Sequence, residues 1–132
     1  MKKTLVSIVF LCCLLFVSAS LADTFLPMNT DTSTVLASLS ISGDSANCVG
    51  TMNAIKGASS ASVAISLQRK VNGSWETLHS KTVSSQGRYV KAEANYAIAS
   101  GYAYRVKAVG KTYDSSGNLL ETITRYSATY TH

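Results

Sequence analysis

The sequence predicts an all-β protein, a single antiparallel β-sandwich of about seven strands. Apolar and polar residues alternate with a period of two along the segments after residue 34, as they do in half-buried strands. Turn-forming residues separate those segments roughly every ten to fifteen residues. Pro27 is the single proline, so nothing after it interrupts a ladder of backbone hydrogen bonds.

The first three predicted strands each bury one face. In the first strand the inward residues are Val35, Ala37, Leu39 and Ile41. Gly43-Asp44 turns the chain into a second strand at about residues 46–54, and a loop at 57–60 leads to the third. In the third strand the inward residues are Ala61, Val63, Ile65 and Leu67. Serines occupy many of the alternate positions, so the opposite faces are expected to be solvated.

Turns define the remaining four strands. Asn72-Gly73 is the strongest hairpin signal, because both central residues of its turn need positive φ. It starts a strand at Trp75–Val83. Further strands are predicted at 88–98, at 102–108 and, beyond a polar turn, at 119–130. The aromatic residues expected in the core are Trp75, Tyr96, Tyr102 and Tyr104. His79 is expected on the outer face.

Residues 1–22 are predicted to be a cleaved secretory signal peptide. Lys2 and Lys3 precede an apolar run of 13 residues, and small residues follow it. Cleavage after Ala22 fits best, with Ala19 as the alternative. Residues 23–33 then form a linker or N-terminal arm, and 34–132 form the sandwich domain. No later segment is long and apolar enough to span a bilayer, so we expect a secreted protein, extracellular or loosely associated with the cell surface.

The run Gly101-Tyr-Ala-Tyr-Arg-Val-Lys-Ala108 resembles the sixth strand of fibronectin type III and related immunoglobulin-like domains. In those domains a tyrosine near the strand start caps the preceding loop. The resemblance implies that role for Tyr104, with Tyr102 second. Val106 stands where immunoglobulin domains have their second cysteine, so the resemblance implies the sandwich architecture and not an immunoglobulin domain proper.

A wider resemblance covers about residues 34–130. The segments that carry it are Leu36–Gly43, Leu67–Lys70 with Gly73–Trp75, and Gly101–Val106. Together they resemble a group of small secreted proteins of Gram-positive bacteria that is classed as a domain of unknown function. This resemblance implies secretion and a β-sandwich, and it implies no activity.

Charge and cysteine content limit the possible functions. Without Lys2 and Lys3 the chain keeps ten basic and seven acidic residues. The basic residues are scattered, which favours a solvated sheet surface over nucleic-acid binding, with weak attraction to an acidic envelope as the alternative. Cys48 is the one cysteine after the signal peptide. Burial in the core is favoured for it, and an intermolecular disulfide stays open.

The sequence contains no recognisable catalytic, metal or cofactor motif. Only His79 and His132 are available as imidazoles, and no nucleophile elbow, metal-binding His pair or phosphate loop is present. We therefore predict that the protein is not an enzyme and uses no metal or cofactor.

Tyrosine is the one residue type in this sequence that suggests a binding surface. Tyr113, Tyr126 and Tyr130 are a possible partner surface near the last hairpin, although plain cross-strand packing explains them too. Two functions remain open. One is a non-enzymatic module that binds an extracellular protein, a glycan or the cell envelope. The other is a freely diffusing secreted effector, such as a bacteriocin-like toxin or an inhibitor.

Overall fold

A computed structural model describes residues 32–132, and the signal peptide and residues 23–31 of the predicted arm lie outside the described residues. The described chain forms eight strands and no helix, and every strand pair is antiparallel. The all-β prediction is thereby confirmed. The strands are β1 (Thr34–Ser42), β2 (Ser45–Asn53), β3 (Ser60–Val71), β4 (Ser74–Ser85), β5 (Tyr89–Ala97), β6 (Ala103–Tyr113), β7 (Leu119–Tyr126) and β8 (Tyr130–Thr131).

The strands form two sheets, which pack face to face. The smaller sheet has the order β1-β2-β5. The larger sheet has the order β4-β3-β6-β7, and β8 also pairs with β6. The single last strand that the sequence predicted is therefore divided into β7 and β8. At the division Ser127 receives a hydrogen bond at Oγ from the Val106 amide, 2.8 Å, and returns one from its own amide to the Val106 carbonyl.

Alternation places small apolar side chains between the sheets. The predicted inward residues Val35, Leu39, Val63 and Leu67 are buried, and Ala37 and Ile41 are half-buried. Within residues 32–132 the core comprises 17 buried hydrophobic residues. The members from the smaller sheet are Val35, Leu39, Ala46, Cys48, Met52, Val90 and Ala92, and those from the larger sheet are Ala61, Val63, Ile65, Leu67, Tyr104, Val106 and Ala108.

Two residues differ from the sequence prediction. Trp75 lies opposite Lys70 on the outer face of the larger sheet, outside the core cluster, because the two-residue turn at Asn72-Gly73 sets that register. His79 lies on the inner side at the sheet edge and stacks on Tyr96, with ring centroids 4.3 Å apart. A β-bulge opposite Leu67 and Gln68 adds one residue to β4. Because of this extra residue, His79 lies on the inner side of the sheet although Thr77 lies on the outer side.

Tyr104 joins the start of β6 to the loop before it. Its side chain is fully buried, and its hydroxyl donates a hydrogen bond of 2.5 Å to the carbonyl of Ala99. Tyr102 is half-buried and packs edge-on against Tyr104, with ring centroids 6.4 Å apart. The structure thus assigns the loop-capping hydrogen bond to Tyr104, the first of the two candidates.

Candidate binding surface

The three tyrosines singled out from the sequence do not form one stripe. Tyr126 is 49% exposed and lies opposite Lys107 on the outer side of the larger sheet. Tyr130 is 48% exposed but lies opposite Tyr104, whose side chain points into the core. Tyr113 is half-buried at the far end of β6, about 30 Å along the strand from Tyr104. A partner role for all three stays a prediction, and Tyr126 belongs to the surface described next.

Alternating cations and aromatic rings cross the outer face of the larger sheet. The guanidinium carbon of Arg105 lies 4.2 Å from the centroid of the Trp75 ring and 4.1 Å from the centroid of the Tyr126 ring. Lys70 lies on the neighbouring strand β3, and its ammonium group is 5.9 Å from the centroid of the Trp75 ring. We call these four residues the cation–aromatic stack. Distances below about 6 Å are within the range of cation–π attraction.

Buried hydrogen bonds orient the central cation of the stack. Arg105 Nε donates to Gln68 Oε1 at 2.8 Å, and Gln68 Nε2 donates to Thr77 Oγ1 at 3.3 Å. Gln68 is itself buried. Because Gln68 fixes one edge of the guanidinium plane, the remaining N–H groups of Arg105 stay at the surface for other acceptors.

The strand register gathers positive charge onto this face. The cations at outward positions of β3 and β6 are Lys70, Arg105, Lys107 and Lys111. Among the described residues no carboxylate occupies an outward position of the larger sheet. Glu76 lies opposite Arg69, which occupies an inward position of β3, and the two side chains form an ion pair at 2.5 Å. Glu121 lies on the inner side of β7, beside Ser33. Lys70 of β3 thus lies on the same face as the three cations of β6.

The outer face of the smaller sheet is electrically balanced. Lys91 Nζ lies 3.3 Å from Glu93 Oε2, and Asn47 Nδ2 donates to Glu93 Oε1 at 3.1 Å. The hydrogen bonds from Asn47 and Lys91 lower the pKa of the Glu93 carboxyl. Glu93 therefore stays ionised and neutralises Lys91, whereas no carboxylate of residues 32–132 pairs with Lys70, Arg105, Lys107 or Lys111.

Hydroxyl groups surround the stack. Ser66 and Ser80 share a hydrogen bond of 3.0 Å across β3 and β4. Thr77, Thr82, Thr122 and Thr124 occupy further outward positions. The large exposed aliphatic side chains lie elsewhere, with Leu36 on the smaller sheet and Leu119 and Leu120 at the end of the β6–β7 hairpin. The outward side of the sheet near the stack is thus mainly polar and cationic.

Cys48 lies at the centre of β2 and is fully buried between the sheets. Burial raises the pKa of its thiol to about 11, so the thiolate is scarce at neutral pH. A disulfide from Cys48 to another molecule would require the two sheets to separate. The geometry therefore favours the packing role over the intermolecular bond.

Residues 32–132 contain no cluster of three His, Cys, Asp or Glu side chains that could hold a metal ion, and no pocket opens among them. His132 Nε2 lies 3.0 Å from Asp44 Oδ1, which ties the C-terminus to the β1–β2 turn. Within the same range there is no helix long and apolar enough to cross a membrane. The candidate binding feature among these residues is the cation–aromatic stack.

No family model and no curated protein matches this chain. Among solved structures, the chain is similar to the solution structure of CsgH from R. palustris, with a TM-score of 0.41 and 10% sequence identity. That similarity covers 73% of this chain and 89% of the other. We therefore take the function from the residues of this chain.

Proposed function

We propose that the protein is a secreted, non-enzymatic module that binds an anionic glycan of the cell envelope through the outer face of the larger sheet. The observation that carries this proposal is the charge asymmetry of that face. Four cations share it with two aromatic rings, and within the described chain no carboxylate lies at an outward position there. Anionic groups on a polymer would find several cations at fixed spacing.

A glycan fits this face better than a folded protein does. Protein interfaces are built around a desolvated, apolar centre. Here the exposed residues around Arg105 are cations, hydroxyls and the aromatic ring of Tyr126, and the large exposed aliphatic residues lie elsewhere. Sheet hydroxyls can bond sugar hydroxyls, while Lys107 and Lys111 are placed to meet carboxylate or phosphate groups. Attraction of this kind is screened by salt, which makes it testable.

The sequence supports the extracellular and non-enzymatic parts of the proposal. Residues 1–22 have the pattern of a signal peptide, and the sequence lacks a catalytic motif. The strand orders β1-β2-β5 and β4-β3-β6-β7, together with the Tyr104 hydrogen bond, agree with the fibronectin type III-like sandwich that the sequence resembles. Such sandwiches serve many unrelated functions, so the binding role depends on the surface and not on the fold.

The test is a binding titration of the mature protein with polygalacturonate, and neutral dextran is the ligand control. Trp75 is the single tryptophan and lies in the stack, so its fluorescence reports binding at this face. The double variant R105A/K107A removes two cations from the face. The matched control K56A/K91A removes the same charge outside it. We expect the first variant to bind roughly tenfold more weakly, and the control to stay close to the natural protein.

The outcomes separate the proposal from its rivals. Equal weakening in both double variants would show that net charge, and not this face, attracts the polymer. Binding that dextran reproduces, or that sodium chloride leaves unchanged, would contradict an anionic ligand. Tighter binding to single-stranded DNA than to polygalacturonate would overturn both the glycan assignment and the prediction of no nucleic-acid binding.

A further inference from the structure

Three of the four sheet edges carry features that discourage pairing with another strand. β4 contains Glu76 and Lys81 and is bulged against β3. On β5, Lys81 Nζ donates to the carbonyl of Glu93 at 3.0 Å. On β7, Arg125 Nη1 donates to the carbonyl of Thr124 at 2.9 Å. Charged side chains and bulges at edges are the usual protection against unwanted strand pairing.

β1 is different from the other edges. Its nine residues, TVLASLSIS, include no charged residue and no proline. It pairs with β2 along its whole length without a register shift. Among residues 32–132, no backbone or side-chain hydrogen bond outside that pairing involves Thr34–Ser42. The free edge of β1 therefore offers a straight row of backbone donors and acceptors to another strand.

We propose that two copies of this chain associate by antiparallel pairing of their β1 strands about a two-fold axis at Ser38. The occupant of this edge must be an extended, uncharged strand with matching alternation, and β1 meets that requirement itself. A register centred on Ser38 pairs all nine residues. It sets Val35 against Ile41, and Thr34 against Ser42, of the second copy. Inward residues meet inward residues, so the faces of the joined sheets stay continuous.

Within residues 32–132 no charge repulsion opposes the pairing of two β1 strands. No charged residue lies within β1, and on the smaller sheet the Lys91 ammonium is balanced by the ionised Glu93 carboxylate. The two smaller sheets would join into one sheet of six strands, and the two-fold axis closes the assembly at a dimer. A single strand pair is a small interface, so the association is expected to be weak and dependent on concentration.

Disulfide trapping tests the axis directly. In the variant S38C the two introduced thiols would face each other, with Cα atoms about 4.5–5.5 Å apart, which is within reach of a disulfide. The buried Cys48 does not compete, because its pKa is raised to about 11. The matched control is A97C, which places a thiol at an exposed outer position of β5, the opposite edge of the same sheet.

In a glutathione redox buffer we expect S38C to form covalent dimers at least tenfold faster than A97C. The variant S40C, whose residue would face Leu36 of the second copy, is expected to crosslink more slowly than S38C. Equal rates for S38C and A97C would show random collision and would overturn the proposal.

Sedimentation velocity tests the natural, unmodified protein. We expect its weight-average sedimentation coefficient to rise between about 10 µM and 1 mM. S38K should abolish the rise, because two ammonium groups would meet at the axis, and A97K should not. A constant coefficient over that range overturns the proposal. So does a rise that begins only when residues 23–31 are removed, because that result assigns the edge to the chain's own N-terminal segment.

Discussion

The hydroxyl of Tyr104 connects two parts of the chain that have no strand pairing between them. It is the end of a fully buried side chain, and it satisfies the Ala99 carbonyl in the loop after β5. Most buried polar groups in proteins are hydrogen-bonded, because an unsatisfied one loses its water without replacement. This bond therefore helps to hold the connection between β5 and β6, together with backbone hydrogen bonds from Ile98 to Asp44 and from Gly101 to His132.

Replacing Tyr104 by Phe is expected to lower the free energy of unfolding by about 1–2 kcal/mol, because the Ala99 carbonyl loses its donor while the ring still fills the core. Urea denaturation measures the loss. Y102F is the control, since the Tyr102 hydroxyl makes no hydrogen bond within residues 32–132. If both variants lose the same stability, the Ala99 bond is not the cause.

At the scale of strands, glycine permits the two sheets to approach. A Cβ atom on Gly110 of β6 would lie 2.5 Å from Val35 Cγ2 and 2.6 Å from Met52 Sδ, which are buried side chains of β1 and β2. The core contains many alanines and few large residues. In the observed packing of β6 against the smaller sheet, a side chain at position 110 would force Val35 and Met52 to move.

The variant G110A is expected to lose about 1–3 kcal/mol of stability, because Val35 and Met52 must move to admit the methyl group. G57A is the matched control. Its added methyl group meets nothing within 4 Å, and its stability should stay within about 0.5 kcal/mol of the natural protein or rise slightly. The midpoint of chemical denaturation measures both variants. A neutral G110A would mean that the sheets adjust their spacing at little cost.

At the scale of the whole described chain, both sheets contribute to one core, so neither is expected to unfold alone. Far-UV circular dichroism reports the strands, Trp75 fluorescence reports the outer face of the larger sheet, and labelling of Cys48 reports the interior. We expect the three transitions in urea to have the same midpoint. An earlier Trp75 transition would show that the cation–aromatic stack loosens before the core opens.

Local patterns in the sequence were sufficient to identify the strands up to β7, but not the division of the last predicted strand into β7 and β8. The alternation in Val35–Ile41 and Ala61–Leu67 marks the buried faces, and the Asn72-Gly73 turn marks the β3–β4 hairpin, where Asn72 has a φ of 50°. These features depend on neighbouring residues, because a strand's side chains alternate and a tight turn demands particular backbone angles. The loop-capping role of Tyr104 was also within reach, through its resemblance to fibronectin type III domains.

Pairing between distant strands decided the rest. Trp75, Arg105 and Tyr126 are far apart in sequence, and only the order β4-β3-β6-β7 brings them into one stack. The bulge in β4 places His79 on the inner side, and no local pattern in the sequence predicts that bulge. The sequence alone thus determined the fold class and the inward faces of β1 and β3, since both follow from short-range alternation, but not the inward residues of β4. The tertiary structure decided which residues share the face that we propose for binding, because cross-strand register is set by the packing of the whole core.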